Sequence, residues 1–324
     1  MKPFKSFLSQ ELEAFISYRQ GLGYSGQQIR YSLRTFDRYI RRQPDSSIVW
    51  ETHFYLKFRN EIKLEPSSVN TTLYAVRCFF EYLRRNHSHL NNPLKDVPCL
   101  PRRAFIPFVF SSEQVEQLLN ATCRRIRQKH QFFIKDLSEY TVILLLARCG
   151  LRINEPLRLK MRDYRPYERT IYIEKTKFKK DRLIPVPKSV AEAIDNYLSA
   201  RATINDKSIN PFLFIGRKQK RLTQYRIRRI FHETVSDIGI NITRQIIGDT
   251  VFGKPTPHCL RHSFAINTLR SAIARKQSPQ NVLPVLATYL GHVEYRHTMK
   301  YLKVVDAKSR VNLFNFAGTQ REYP

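Results

Sequence analysis

Acidic residues are scarce in this chain. Its 324 residues carry 27 Asp+Glu against 56 Lys+Arg, a formal net charge of +29. A surplus that large repels itself until a polyanion neutralises it, and nucleic acid is the usual polyanion. Long apolar runs are also missing. Val142–Ala147 is far short of the roughly 20 residues a membrane span requires. The N-terminal Met1-Lys2-Pro3-Phe4-Lys5-Ser6 leads into an amphipathic helix and not into the apolar core of a signal peptide. The expectation is a soluble, cytoplasmic protein that binds no membrane, nucleoid-associated if the host is bacterial. Cysteine is sparse and dispersed: Cys78, Cys99, Cys123, Cys149 and Cys259 form no Cys-x-x-Cys pair. An odd, scattered set argues against a disulfide framework and against a cysteine-rich zinc site, leaving reduced thiols with packing roles. What remains, 42% apolar residues over 324 positions, suffices for about two domains with sizeable cores.

Residues 1–96 read as one helical domain. Leu8, Leu12, Phe15 and Ile16 keep helical spacing until Gly21-Leu22-Gly23 stops them. Ile29, Leu33, Phe36 and Ile40 make a second stripe, with Arg30 and Arg34 off it. A third helix covers roughly Thr52–Lys63. A fourth starts near Ser67 and buries Val69, Leu73, Val76, Phe80 and Leu83, with Arg77 and Arg84 elsewhere on its surface. These arginines could clamp DNA phosphates or form the solvated faces of a small bundle, and the overall charge favours DNA. Asn92-Pro93 closes the block, and the proline-rich, basic stretch 97–104 reads as a linker.

A second domain is expected over residues 105–324, helical with one β insertion. Ser111-Ser112-Glu113-Gln114 gives a helix N-cap before Val115, Leu118 and Leu119. A buried helix over Tyr140–Arg148 ends at Cys149-Gly150, and Leu151–Glu155 opens the next. Thr170–Ile173 and Arg182–Val186 are strand-like, joined by the lysine-rich turn Lys175–Asp181. Helical pattern resumes at Ser189–Arg201 and at Thr223–Ile238. The basic run Arg217, Lys218, Lys220 and Arg221 before the latter reads as a phosphate-contacting loop or as a merely solvated one.

The stretch from Pro257 to Tyr301 is polar where a core helix would be apolar. It contains Pro257-His258-Cys259-Leu260-Arg261-His262 and Leu290-Gly291-His292, with Tyr301 nine residues later. Burying each such polar group without a partner costs roughly 1–3 kcal/mol, so a site is the better explanation. His258 and His262, four apart, have the spacing of a metal pair, but no Glu lies between them and no third ligand is evident.

Taken in order, Gly150-Leu151-Arg152-Ile153-Asn154-Glu155, the hairpin lysines, His258-Cys259-Leu260-Arg261-His262, Leu290-Gly291-His292 and Tyr301 resemble the tyrosine recombinase (phage integrase) family. Short tripeptides such as Gly-Leu-Arg are common, but five pieces in order across this span of a basic chain are not. The wording Leu286–His292 is more like recombinases carried by mobile elements. The chain departs from the family pattern with extra residues around Ala274–Asn281 and with Pro156 after Glu155.

The resemblance implies a mainly α fold. An N-terminal helical core-binding (SAM-like) domain and an α-rich catalytic domain with a small antiparallel β-sheet would form a C-shaped clamp around DNA. The catalytic set it implies is Arg152, Lys177, His258, Arg261, His292 and Tyr301. Two guanidiniums match the geometry of a phosphate and stabilise the charge that builds during attack. Tyr301 would be the nucleophile, His258 its base and His292 a hydrogen-bond donor to the phosphate. Lys177 would protonate the departing 5′-oxygen, with Lys175, Lys179 and Lys180 close enough to compete for that role, and Lys179 and Lys180 also candidates to contact DNA. Glu155 would orient Arg152, though a simple cap or ion pair is what those two residues suggest by themselves. Tyr289 and Tyr295 are the other tyrosines nearby.

The reaction implied is site-specific cleavage and rejoining of DNA through a 3′-phosphotyrosine, for integration, excision or resolution of a mobile element, with no metal, ATP or other cofactor. The partners implied are double-stranded DNA at specific recombination sites, a homotetramer on paired sites, and accessory DNA-bending proteins or sister recombinases. Val311, Leu313, Phe314 and Phe316 in the tail would dock on a neighbouring protomer. A type IB topoisomerase and a non-catalytic DNA-binding or architectural protein are the alternatives.

Overall fold

The computed structural model describes residues 3–43, 47–86, 91–174, 181–204, 210–292 and 294–302. The lysine turn (residues 175–180, including Lys177, Lys179 and Lys180) and the tail (residues 303–324) lie outside them. The chain divides into two compact units, Met1–Ala104 and Phe105–Pro324. The fold is mainly α with small β-sheets.

The first unit is a helical bundle. It comprises α1 (Ser9–Gly21), α2 (Gly26–Ile40), a single 3-10 turn (Ser47–Trp50), α3 (Thr52–Glu61) and α4 (Pro66–Asn86). Its apolar stripes do what their period requires. Ile29, Leu33, Phe36 and Ile40 of α2 and Val69, Leu73, Val76, Phe80 and Leu83 of α4 are all buried in one cluster. Full burial of each such side chain stabilises by about 1.5–3 kcal/mol. At the end of α4 the chain folds back. Asn70 donates to the Leu100 carbonyl and accepts from the Leu100 amide, both at 2.8 Å.

The second unit begins with β1 (Ala104–Ile106) and α5 (Ser112–Arg124). The expected N-cap is a capping box: the Gln114 amide donates to Ser111 Oγ and the Ser111 amide donates to Gln114 Oε1. Next comes α6 (His130–Arg148), ten residues longer at its start than the apolar run alone indicated. Ile134, Asp136, Ser138 and Glu139 are also buried there, so polar core residues hid the helix from a hydrophobicity reading. After Gly150 the expected helix does not form. The chain bends and makes only 3-10 turns at Pro156–Arg158 and Met161–Asp163. The Glu155 carboxylate accepts the Arg152 amide at 2.9 Å, which folds residues 152–155 into a tight turn.

Strands β2 (Tyr164–Arg165), β3 (Thr170–Ile173) and β4 (Arg182–Pro185) form an antiparallel sheet in the order β2-β3-β4, with Ile171 opposite Ile184 and Ile173 opposite Arg182. Then follow α7 (Lys188–Ile204), a 3-10 turn (Arg217–Gln219), α8 (Gln224–Asp237), β5 (Gln245–Ile247), β6 (Thr250–Phe252), α9 (Pro257–Ala274) and α10 (Pro279–Leu290). Strands β5 and β6 join β1 in a second sheet, ordered β1-β6-β5, which the sequence did not suggest. Its strands are three residues long and largely exposed, so they show no apolar alternation. Residues 296–302 are helical. No helix among the described residues is long and apolar enough to cross a membrane.

Candidate active site

Two glycines at helix ends build the floor of the site. Gly150 follows α6 with φ +58, and Gly291 caps α10 with φ +65, a left-handed backbone that glycine adopts at little cost. Space is short at both. A Cβ on Gly150 would lie 2.5 Å from the Phe264 ring, and one on Gly291 would lie 3.0 Å from the Arg182 guanidinium. The sharp exits turn carbonyls inward. Arg261 Nη1 donates to the Gly150 carbonyl at 2.8 Å and its Nη2 to the Leu290 carbonyl at 2.6 Å. Arg152 Nη2 reaches the Gly291 carbonyl at 3.3 Å. Helix packing (α6 against α9, α9 against α10) thus brings Arg152 and Arg261 together although 109 positions separate them.

One carboxylate organises these cations. Glu155 accepts from Arg152 Nη1 at 3.0 Å and, through both oxygens, from Arg182 Nη1 and Nη2 at 3.1 and 2.9 Å. Arg182 Nε also donates to the Tyr289 carbonyl at 2.9 Å, tying strand β4 to α10. Burial pushes the Glu155 pKa up, but the Arg182 hydrogen bonds and charge, with the Arg152 amide, more than offset it and hold the carboxyl below its ordinary value. Arg152, Arg182 and Arg261 together outnumber this single carboxylate, so the pocket is left with excess positive charge. Arg261 is 1% exposed. Burial first, then repulsion by Arg152, lowers its pKa to about 10, which still keeps it charged at neutral pH.

The histidines gather beside these cations. His258 and His262 sit one turn apart on α9, their ring centroids 4.6 Å apart and nearly perpendicular. Desolvation, followed by the charges of Arg261 and Arg152, lowers the His258 pKa to about 4. His258 nevertheless keeps an edge open to solvent. His262 falls to about 4 for similar reasons, desolvation first and then His258 and Arg261. His292 falls to about 3, and its Nδ1 lies 2.8 Å from the hydroxyl of the fully buried Thr298. All three imidazoles are neutral at pH 7.

Tyr301 lies among them and is buried at 6% exposure. Its hydroxyl is 3.1 Å from His262 Nδ1, and its ring stacks on His292 at 6.2 Å between centroids. Burial raises its pKa, opposed by Arg261 and Arg152. The other nearby tyrosines differ. Tyr289 stacks on Phe264 and donates to the Pro185 carbonyl, while Tyr295 is 44% exposed.

Arg152, His258, Arg261, His292 and Tyr301 are therefore brought together. Sequence reasoning overlooked two groups there. Arg182 is an arginine on the same strand face as buried Ile184, an anomaly of period that marks it. His262, weighed only as half of a metal pair, is the histidine against the Tyr301 hydroxyl. No group of three metal-ligating side chains occurs among the described residues.

The candidate DNA-contacting residues have varied surroundings. Arg30 pairs with Glu13 and packs over the Phe4 ring. Arg34 is half-buried on α2. Arg77 donates to the Leu94 and Val97 carbonyls, and Arg84 pairs with Glu81. Arg217, Lys218 and Lys220 are exposed. Arg221 is exposed as well, and it donates to the Leu157 carbonyl at 3.0 Å with its guanidinium over the Phe212 ring.

A buried phenol set among neutral imidazoles and uncompensated guanidiniums is the equipment of an enzyme that transfers a phosphoryl group to its own tyrosine. Family comparison agrees. The chain belongs to the phage integrase family, whose sequence model matches residues 109–308, and is thus a tyrosine recombinase, an enzyme of site-specific DNA recombination. It is 30% identical over 303 residues to y4rB of Sinorhizobium fredii, named for an integrase/recombinase, covering 92% of this chain and 93% of that one. The TnP I resolvase of Bacillus thuringiensis is 24% identical over 302 residues, 93% of each chain. In fold the chain is similar to the site-specific recombinase XerH bound to its difH substrate (TM-score 0.69, 19% identity, 89% of this chain and 78% of that one). It is also similar to the Tn1549 transposon integrase in complex with DNA (TM-score 0.62, 18% identity, 90% and 94%).

Proposed function

We propose that Tyr301 attacks a phosphodiester of duplex DNA, forming a 3′-phosphotyrosine and releasing a 5′-hydroxyl. The phenol O–H and the P–O5′ bonds break, the Tyr301 O–P bond forms, and the departing oxygen takes up a proton. On the partner duplex the steps run in reverse, so the bond energy is conserved. Arg152 and Arg261 hold the non-bridging oxygens, where the developing charge is largest; Arg261 has five N–H donors and spends two on carbonyls. His258 and His292 flank that phosphate. Lys177 remains the candidate acid, with Lys179 and Lys180 beside it.

The observation that carries this reading is the meeting of two guanidiniums and three imidazoles around one buried phenol, drawn from separate stretches of chain. Residues 1–96 act as the core-binding domain and residues 105–324 as the catalytic domain, joined by 97–104, and together they clamp DNA. Arg30, Arg34, Arg77, Arg84, Arg217, Lys218, Lys220 and Arg221 are the candidate phosphate contacts. The working assembly is a tetramer on paired sites of a mobile element, in the cytoplasm. A lambda integrase tetramer bound to a Holliday junction supports the tetrameric state.

The test is Tyr301→Phe on a nicked suicide duplex. The expected result is retained DNA binding with no covalent adduct; an adduct with the phenylalanine variant would refute the assignment. A two-site recombination assay run beside plasmid relaxation separates recombination from topoisomerase-like relaxation.

A further inference from the structure

The site holds one histidine more than the phosphate needs, and that histidine touches the nucleophile. Among the described residues, the side chain 3.1 Å from the Tyr301 hydroxyl is His262, through Nδ1. His258 has no hydrogen bond to Tyr301; it stands against the His262 ring, 4.6 Å between centroids. A base must lie within hydrogen-bond reach of the proton it removes. We propose that His262 is a catalytic residue that takes the Tyr301 proton during cleavage and returns it during resealing. The proposal rests on Tyr301 being the nucleophile.

The step balances within the pocket. In the Nε2–H tautomer, His262 Nδ1 accepts the phenol hydrogen bond. As the Tyr301 oxygen bonds to phosphorus, its O–H bond breaks and the Nδ1–H bond forms. His262 becomes an imidazolium, and the leaving 5′-oxygen takes its proton from the candidate acid Lys177.

The surroundings also make the step sensitive to substrate. The groups facing the His262 ring are His258 on its own helix, the charged Arg261, and Tyr301 from the last helical segment. Burial first, and then the His258 ring and the Arg261 charge, disfavour an imidazolium at His262 and lower its pKa to about 4. A phosphodiester held by Arg152 and Arg261 supplies the missing negative charge, and attack increases it. Proton transfer to His262 is thus easier with DNA in the site.

The experiment uses the full-length protein. A nicked duplex that the wild type links to itself is first selected from a randomised pool. Single-turnover adduct formation is then measured for the wild type, His262→Asn, His262→Ala and Tyr301→Phe. Asparagine retains a hydrogen-bond acceptor for the phenol but cannot take its proton. The expected result is a loss of about 10²–10⁴-fold in adduct rate for both His262 variants, with duplex binding and melting temperature unchanged. A second substrate carries sulfur in place of the 5′-bridging oxygen, so its leaving group needs no acid. It should leave both His262 variants slow, because their defect lies on the nucleophile. Wild-type rates in His262→Asn would reduce His262 to a positioning residue, and rescue by the sulfur substrate would move it to the leaving group; either overturns the proposal. An adduct with Tyr301→Phe would instead overturn the nucleophile assignment beneath it.

Discussion

The Arg182–Glu155 pair offers the sharpest separation of stability from catalysis. Both side chains are below 10% exposed and exchange two charge-assisted hydrogen bonds, and Arg182 also satisfies the Tyr289 carbonyl. Arg182→Met would leave a buried carboxylate facing only Arg152. Breaking a buried pair by removing one partner costs about 3–5 kcal/mol. Glu155 keeps its two contacts to Arg152, which argues for the lower end, about 3 kcal/mol. For a unit of this size that is about 6–12 °C in melting temperature. Arg182→Met/Glu155→Leu replaces the ion pair with apolar volume and should recover most of the loss, since such swaps are close to neutral. It should still abolish cleavage, because Arg152 loses the carboxylate that orients it. Scanning calorimetry on the full chain, which can resolve the two units, reads the first effect and adduct formation the second. A single variant melting within about 2 °C of wild type, or a double variant no better than the single, would refute the argument.

Two further outcomes follow from the same pocket. Gly150→Ala introduces a methyl group 2.5 Å from Phe264 at a left-handed position, and should destabilise by about 2 kcal/mol or more in urea denaturation; a neutral result would mean that α6 and α9 can part cheaply. The histidines predict a pH effect. His258, His262 and His292 titrate near 4, 4 and 3 when folded, against 6.5 when unfolded. Between about 6.5 and 4 the unfolded chain therefore binds more protons, so stability is greatest above 6.5 and is lost as pH falls through this window. The urea midpoint should drop from pH 7 to pH 5, and a flat profile would contradict neutral imidazoles in the folded site.

Much of this protein was readable in the order of its residues. The stripes of α2 and α4 are spaced so that only a helix can bury them on one side, and strands β3 and β4 show the alternation of a half-buried ladder. The charge surplus requires no fold to be interpreted. Period failed where burial and polarity disagree: α6 starts at His130 through polar residues that are buried, the turn at Glu155 replaces a helix, and the exposed strands of the second sheet carry no pattern. The site divides along the same line. Its residue types and their order are local facts, and they picked out Arg152, His258, Arg261, His292 and Tyr301 as candidates, which the fold gathers in one place. Which histidine meets the phenol is not local. His258 and His262 lie one turn apart on one face of α9, and their spacing is the same whichever faces Tyr301. The packing of the last helical segment against α9 decides it, as the packing of β4 against α10 decides that Arg182 holds Glu155. Such contacts span 39 and 27 positions of chain, and only the folded core fixes them.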